Sequence, residues 1–247
     1  MTVFRSLGRA LGLRSKRDTA AFDAQRRLVR NEQAVVADVG AHIGQTARRY
    51  RGLFPQATIH SFEPFPASFD TLSRGLANDA KLHTHQLALG AVAGRRTLNV
   101  NRSSATNSLL RSDERAEAYW GRDLLVTDSS IDVAVTTLDA FCIERALTHL
   151  DILKLDVQGA ELEVLAGAER LLREQAIDVV YMEMIVAPTY VGQRELHDYL
   201  SFFRAHGYVL FDFYNPVRKH GRLLQTDNLM VAEAFLAAYE RAQAALD

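Results

Sequence analysis

The stretch Val35-Val-Ala-Asp-Val-Gly-Ala-His-Ile-Gly-Gln-Thr-Ala47 constrains this chain more than any other. Val35, Val36, Ala37 and Val39 make a short apolar run in which Asp38 is the one charge. Gly40 and Gly44 follow, and from Ala47-Arg-Arg-Tyr50 the pattern turns helical. A buried strand that stops in a glycine turn and opens into a helix predicts the first βα corner of a nucleotide-type fold. Glycines let the backbone approach a ligand closely, and a helix start offers N–H groups without helical partners. The spacing Gly40-x-x-x-Gly44 is not G-x-G-x-x-G. Asp38 would sit beside a dinucleotide's pyrophosphate and repel it by on the order of a few kcal/mol at an effective dielectric of ~20. A cation without phosphate would be drawn in instead.

The rest of the chain sets bounds. With 247 residues, 48% apolar and 24% charged, it reads as a soluble globular chain of one large domain, or of one domain with additions. A net charge of −1 gives no electrostatic case for nucleic acid as a partner. Cys142 is the only cysteine, which excludes an internal disulfide and a cysteine-based zinc site. No apolar run approaches the ~18 residues of a membrane span, so a cytoplasmic protein is expected. Residues 1–30 form a basic arm ahead of a domain over 31–247. Val3, Phe4, Leu7, Leu11 and Leu13 recur there at helical spacing among arginines, and Arg9 interrupts any signal-like apolar run. Two readings of the arm stand: a frayed or domain-packing helix, and a peripheral contact with an anionic membrane or a partner.

Thr58–Phe62 reads as a second strand, stopped by Pro64 and Pro66. Glu63 therefore ends it, where doubly wound folds hold a ribose diol on a carboxylate's two oxygens. Ser68–Leu76 is helical, Leu82–Leu87 a third strand, and Ala88-Leu-Gly90 lies at its carboxyl end, facing an adenine in such folds. His83 and His85 share one strand face and, lacking a third ligand, read as a surface pair. Arg95–Val100 and Ser130–Thr136 alternate and predict a hairpin or two added strands. Residues 103–130 are too long for a turn and read as a substrate loop or lid, with Asn107 and Ser108 as contacts for a hydroxylated acceptor.

Thr136 or Thr137 caps a helix that runs to Cys142. Asp151–Leu155 is a buried strand ending in Asp156-Val-Gln-Gly-Ala-Glu161, with a helix over Leu162–Arg173 behind it. Asp178–Glu183 is the next strand and Gln193–His206 a helix. Tyr208–Phe213 and Asn228–Ala232 close the chain as strands joined by a loop over Asn215–Gly221, which adds an antiparallel edge to a parallel sheet. A last helix covers 234–247. Ligands bind at the carboxyl edge of open parallel sheets. Asp38, Glu63, Asp156 and Glu183 all fall on that edge, and four acids on one rim suit a cationic ligand and hydroxyl groups.

The pieces Val36-Ala-Asp-Val-Gly-Ala-His-Ile-Gly44, Phe62-Glu-Pro64, Ala88-Leu-Gly90, Asn107-Ser-Leu109, Thr137-Leu-Asp139, Leu153-Lys-Leu-Asp-Val-Gln-Gly-Ala-Glu-Leu162 and Asp227-Asn-Leu229 resemble the FkbM family of S-adenosylmethionine-dependent methyltransferases. The resemblance covers about residues 24–232. It implies an α/β, class I (Rossmann-like) methyltransferase fold, with a seven-stranded, mostly parallel sheet, an antiparallel last strand and helices on both faces. It implies O-methylation of a sugar, glycolipid or natural product. S-adenosylmethionine carries a sulfonium, an ammonium and no phosphate, as Asp38 requires. His42 stands where the family usually has Asn, and Gln158 where many members have Glu and others Gln.

On this reading Asp38, Gly40, Ala41, His42 and Gly44 hold the methionine part of the cofactor. Glu63 and Pro64 take the ribose, Ala88 and Leu89 the adenine. Asp156 is the first choice for a general base, with Glu183 and His42 in reserve. Asn107, Ser108, Gln158 and Glu161 face the acceptor, although Glu161 could instead orient its turn. No metal ligand is assigned, with a divalent ion on Asp156 and Glu161 or Glu183 as the minor alternative; the partner is a small hydroxylated acceptor. Two readings compete. One is a non-catalytic binding or assembly module of the same fold. The other is an NAD(P)-dependent oxidoreductase, against which Asp38 and the glycine spacing argue.

Overall fold

The structure, a computed structural model, describes residues 16–245. Seven strands form one twisted sheet: β1 (Val35–Val39), β2 (Thr58–Phe62), β3 (Leu82–His85), β7 (Leu150–Leu155), β8 (Ile177–Ile185), β9 (Tyr208–Lys219) and β10 (Arg222–Ala232). Their order is β3-β2-β1-β7-β8-β10-β9. The first five are parallel, whereas β10 runs antiparallel to β8 and to β9. The chain reverses direction across the sheet at β1 and β7, the place where open sheets of this kind bind ligands.

Alternation along the strands divides the core in two. Ala37, Val39, Leu153, Leu155, Val180 and Met182 face α5 (Leu138–Glu144), α6 (Glu161–Ala166), α7 (Glu169–Arg173) and α8 (Leu196–Ala205). Val36, Ile152, Val179 and Val231 face α1 (Lys16–Leu28), α2 (Gln45–Leu53), α3 (Pro66–Leu76) and α9 (Glu233–Ala244). Helix α1 belongs to this core: Ala21, Phe22, Ala24 and Leu28 are buried, and Phe22 packs between the rings of Tyr50 and Tyr181. Gln25 accepts a 2.7 Å hydrogen bond from Tyr50. Residues 21–28 thus pack against the domain. Val3 to Leu13, on which the membrane reading of the arm turns, lie outside the described residues.

Arg95–Val100 and Ser130–Thr136 do pair, as β5 (Gly94–Asn101) and β6 (Thr127–Thr136). They join β4 (Ala88–Leu89) in a separate three-stranded sheet with its own small core of Ala88, Leu98, Val133 and Val135. The connection 103–126 holds two short 3₁₀ turns and the helix α4 (Glu117–Trp120), so it is a structured excursion. His83 and His85 are not merely a surface pair. His85 Nε2 lies 3.2 Å from Nδ1 of buried His60, and His83 stacks on His60. Burial pushes His60 and His85 down to about 4, so both rings are neutral at neutral pH.

Two element boundaries differ from expectation. The helix read over Leu162–Arg173 is broken at Gly167. The carboxylate of Asp139 accepts from the N–H groups of Arg170 and Leu171 and so starts α7 afresh. A Cβ at Gly167 would lie 2.1 Å from the carbonyl oxygen of Gly90, so the break lets the small sheet dock. The loop read over Asn215–Gly221 is mostly strand. β9 and β10 extend to a two-residue turn at His220 and Gly221, both with positive φ. Pro216 is tolerated because β9 is the sheet's edge strand.

Gly167→Ala should destabilise the protein by about 2 kcal/mol, because the new methyl group meets backbone that cannot retreat. A thermal melt should show a fall of about 4–8 °C.

Candidate functional site

Strand β1 ends against two neighbours. The N–H groups of Gly40 and Ala41 both donate to the carbonyl of Phe62, at 3.0 and 2.9 Å. His42 N–H donates to Glu63 Oε2 at 2.8 Å, and Gly44 N–H to the Ala41 carbonyl at 2.8 Å. These four N–H groups are therefore already engaged within the corner. Gly40 (φ +73°) is obligatory, since a Cβ there would lie 1.9 Å from the carbonyl oxygen of Asp156. The turn after β1 and the turn after β7 touch backbone to backbone.

Asp38 corrects the electrostatic expectation. It is 0% exposed and lies beneath the corner, ion-paired at 3.0 Å with Lys154, its register partner on β7. Burial pushes the Asp38 carboxyl up, and the Lys154 ammonium pulls it back. Lys154 also donates to the carbonyls of Val39 and Gly40, at 3.2 and 2.9 Å. Asp38 is thus a neutralised support, not a free anion at the ligand surface. Lys154 was missed as a site residue, although a lysine between Leu153 and Leu155 in a fully apolar strand is itself a signal that a buried anion lies nearby.

Glu63 is 7% exposed. Its Oε1 accepts from the N–H of Phe65 at 2.9 Å and its Oε2 from His42. Burial outweighs these two donors and raises the carboxyl to about 7. Pro64 is half-buried beside it, and Ala88 and Leu89 are buried in β4. Ala41 is buried, and His42 adopts φ +49°. The His42 ring is 2.9 Å from Ser104 Oγ, and burial lowers its pKa. The first turn of the excursion therefore closes over the corner.

Asp156, Gln158 and Glu183 come together. Gln158 Nε2 lies 2.8 Å from Asp156 Oδ1 and 3.0 Å from Glu183 Oε2. Glu183 Oε1 accepts from Gln225, and its strand runs two residues further than expected, to Ile185. Asp156 is half-buried, and its Oδ2 receives no hydrogen bond from any described residue. Two expected acceptor contacts face inward. Ser108, 1% exposed, donates to the Gln158 carbonyl and accepts from Leu110 N–H. Glu161, also 1% exposed, accepts from the N–H groups of Val157 and Gly159 and from Tyr199, and burial raises it to about 7. It orients the turn, the alternative role read for it. Asn107 differs: its Oδ1 accepts from Asn101 N–H, while its buried Nδ2 has no partner among the described residues.

Residues that no motif announced shape the outer wall. Tyr190, buried, reaches Gln158 Oε1 at 2.8 Å. Trp120 Nε1 donates to Thr189 at 2.7 Å, and Lys219 Nζ donates to the Ala118 carbonyl at 2.8 Å. The excursion is clasped between the segment after β8 and the tip of the β9–β10 hairpin.

A family model described as the methyltransferase FkbM domain matches residues 38–210, from the buried aspartate to the edge strand. The chain belongs to the FkbM methyltransferase family. It is an S-adenosylmethionine-dependent methyltransferase. The 2-O-methyltransferase NoeI of Sinorhizobium fredii is 26% identical over 197 residues, 75% of this chain and 79% of that one. The 31-O-demethyl-FK506 methyltransferase FkbM of Streptomyces tacrolimicus is 26% identical over 202 residues, 74% and 75% of the two. Methyltransferase sdnD of Sordaria araneosa is 34% identical over 155 residues, 54% of this chain and 60% of that relative. A solved rRNA methylase from Streptococcus thermophilus is similar in fold, with a TM-score of 0.50 and 9% identity over 88% of this chain and 97% of that one.

The FkbM-family cofactor fits the donor set. Glu63 holds its carboxylate still with two backbone N–H groups, which leaves further lone pairs for a diol. Among the described residues, the group able to gather a metal ion is His149, Asp151 and Asp178, at the amino end of the strands and away from this site.

Lys154→Met should cost about 3–5 kcal/mol by stranding the Asp38 charge in the core. Adding Asp38→Leu should recover most of that loss, and urea unfolding of the single and double variants measures both.

Proposed function

We propose that this chain methylates a hydroxyl group of a sugar or a hydroxylated natural product, with Asp156 as the general base. The observation that carries the reading is the state of the Asp156 carboxylate. One oxygen is fixed by Gln158, and the other has no donor, at the end of a central strand against Gly40. An alcohol is a poor nucleophile until its proton leaves, so a positioned acceptor is what the reaction requires. Two relatives are named for methylation at oxygen, 2-O in one and 31-O in the other, which supports an oxygen acceptor.

S-adenosylmethionine, when bound, supplies a methyl group on a positively charged sulfur. The Gly40–Gly44 corner, with Ala41 and His42, receives the methionine part. Glu63 and Pro64 take the ribose, and Ala88 and Leu89 the adenine side. Asp156 Oδ2 would take the proton of the acceptor's hydroxyl, the group to which the methyl would pass. The unpartnered Nδ2 of Asn107 is a donor for another acceptor oxygen. Glu183 and His42 are less suited to the base. Glu183 has both oxygens hydrogen-bonded, and burial disfavours the charged ring that His42 would become on taking a proton.

Asp156→Asn should lower kcat by roughly 10²–10⁴ while cofactor affinity stays within about threefold. Single-turnover assays with labelled cofactor and a panel of hydroxylated acceptors read the first quantity, and calorimetry the second. Glu63→Ala should weaken cofactor binding by about 1–3 kcal/mol. Glu63 titrates near 7 and is the better ribose acceptor when ionised, so affinity should rise with pH through about 7. Glu63→Gln should flatten that rise.

A further inference from the structure

We propose that Gln158 is the positioning residue of this site, and that its amide does the work of a divalent cation between Asp156 and Glu183. The inference deepens the reading of Asp156 as base and rests on it for its kinetic consequences alone. Two carboxylates that face a common point repel, and such pairs are held by a shared proton, a cation or a donor. Here the donor is a single nitrogen with two hydrogens, 2.8 Å from one carboxylate and 3.0 Å from the other. An amide oxygen in that place would meet two acceptors, so the orientation follows from the chemistry. The Tyr190 hydroxyl, 2.8 Å from Gln158 Oε1, locks it from the far side.

The backbone of Gln158 is fixed as well. It holds φ +58°, which a non-glycine residue keeps only where its surroundings impose it. Its carbonyl accepts from Ser108 at 2.7 Å, which ties the excursion to the same residue. Asp156 acts electrostatically on Asp38, His42, Glu161 and Tyr190, and Tyr190 also feels Glu183. Asp38 carries its own counter-ion, Lys154. Glu161 faces its turn, and the acidity of His42 is shifted toward the neutral ring. The amide of Gln158 donates to both carboxylates and so joins them. Gln158→Glu would replace that donor by a third carboxylate and produce an oxygen-only ligand set of the kind that Mn²⁺ and Mg²⁺ prefer.

The test compares the full-length wild type, Gln158→Glu and Gln158→Met. Mn²⁺ binding is followed by electron paramagnetic resonance without cofactor or acceptor, and methyl transfer and cofactor affinity are measured separately. Gln158→Glu should bind one Mn²⁺ per chain at least ten times more tightly than the wild type, and Gln158→Met should not. In Gln158→Met, kcat should fall at least tenfold with cofactor affinity within twofold. Equal Mn²⁺ affinity in wild type and Gln158→Glu, or a Gln158→Met enzyme with unchanged kcat, would overturn the inference. If Gln158→Glu folds only when Mn²⁺ is added, that rescue counts as binding. If it folds under neither condition, the kinetics of Gln158→Met decide. Full turnover in Asp156→Asn would remove the base assignment and leave the Mn²⁺ comparison to judge Gln158.

Discussion

Two charges buried side by side on neighbouring central strands set the position of everything at the carboxyl rim. Asp38 and Lys154 face each other in register across β1 and β7. Removing both from water is costly, and their attraction offsets the cost only while the geometry is kept. The contribution of such a pair is positional. Lys154 uses its remaining hydrogens on the carbonyls of Val39 and Gly40, so it fixes where β1 stops and the glycine turn begins. That turn presses on the backbone of Asp156, and the turn from Asp156 onward carries Gln158. The site is therefore registered from below, by a pair that never meets solvent.

This arrangement changes the physical basis of ligand choice. A rim of four free carboxylates would select by net field. The rim instead has Asp38 neutralised, Glu63 pushed close to neutrality by burial, and Asp156 and Glu183 joined through an amide. Four backbone N–H groups of the corner are already engaged internally. The Glu63 carboxyl beside them is held in place by two backbone N–H groups.

The sequence revealed most where local chemistry and fold agree. The glycine corner, the Pro-stopped strand before Glu63 and the strand ending at Asp156 were all readable, because apolar runs and turn residues mark them directly. The seven-stranded sheet and its antiparallel edge followed from the order of those units and the family resemblance. What failed did so for tertiary reasons. The break at Gly167 depends on Asp139, about thirty positions earlier in the chain, reaching over to cap α7. The length of β9 and β10 is hidden because Asn215, Pro216 and Gly221 read as loop until the edge position of β9 is known. Ser108 and Glu161 were read as ligand contacts because a polar residue in a motif does not disclose whether it faces outward or inward. Tyr190 and Thr189 belong to no motif, and their part in the wall comes from where β8 delivers them.

The central claim is that the carboxyl rim of this sheet takes a sulfonium cofactor and no dinucleotide. Isothermal titration of the purified chain with S-adenosylmethionine and, separately, with NAD⁺ and NADP⁺ tests it most directly. The account predicts one S-adenosylmethionine bound per chain and no saturable heat from either dinucleotide. Saturable binding of a dinucleotide, with none of S-adenosylmethionine, would contradict it.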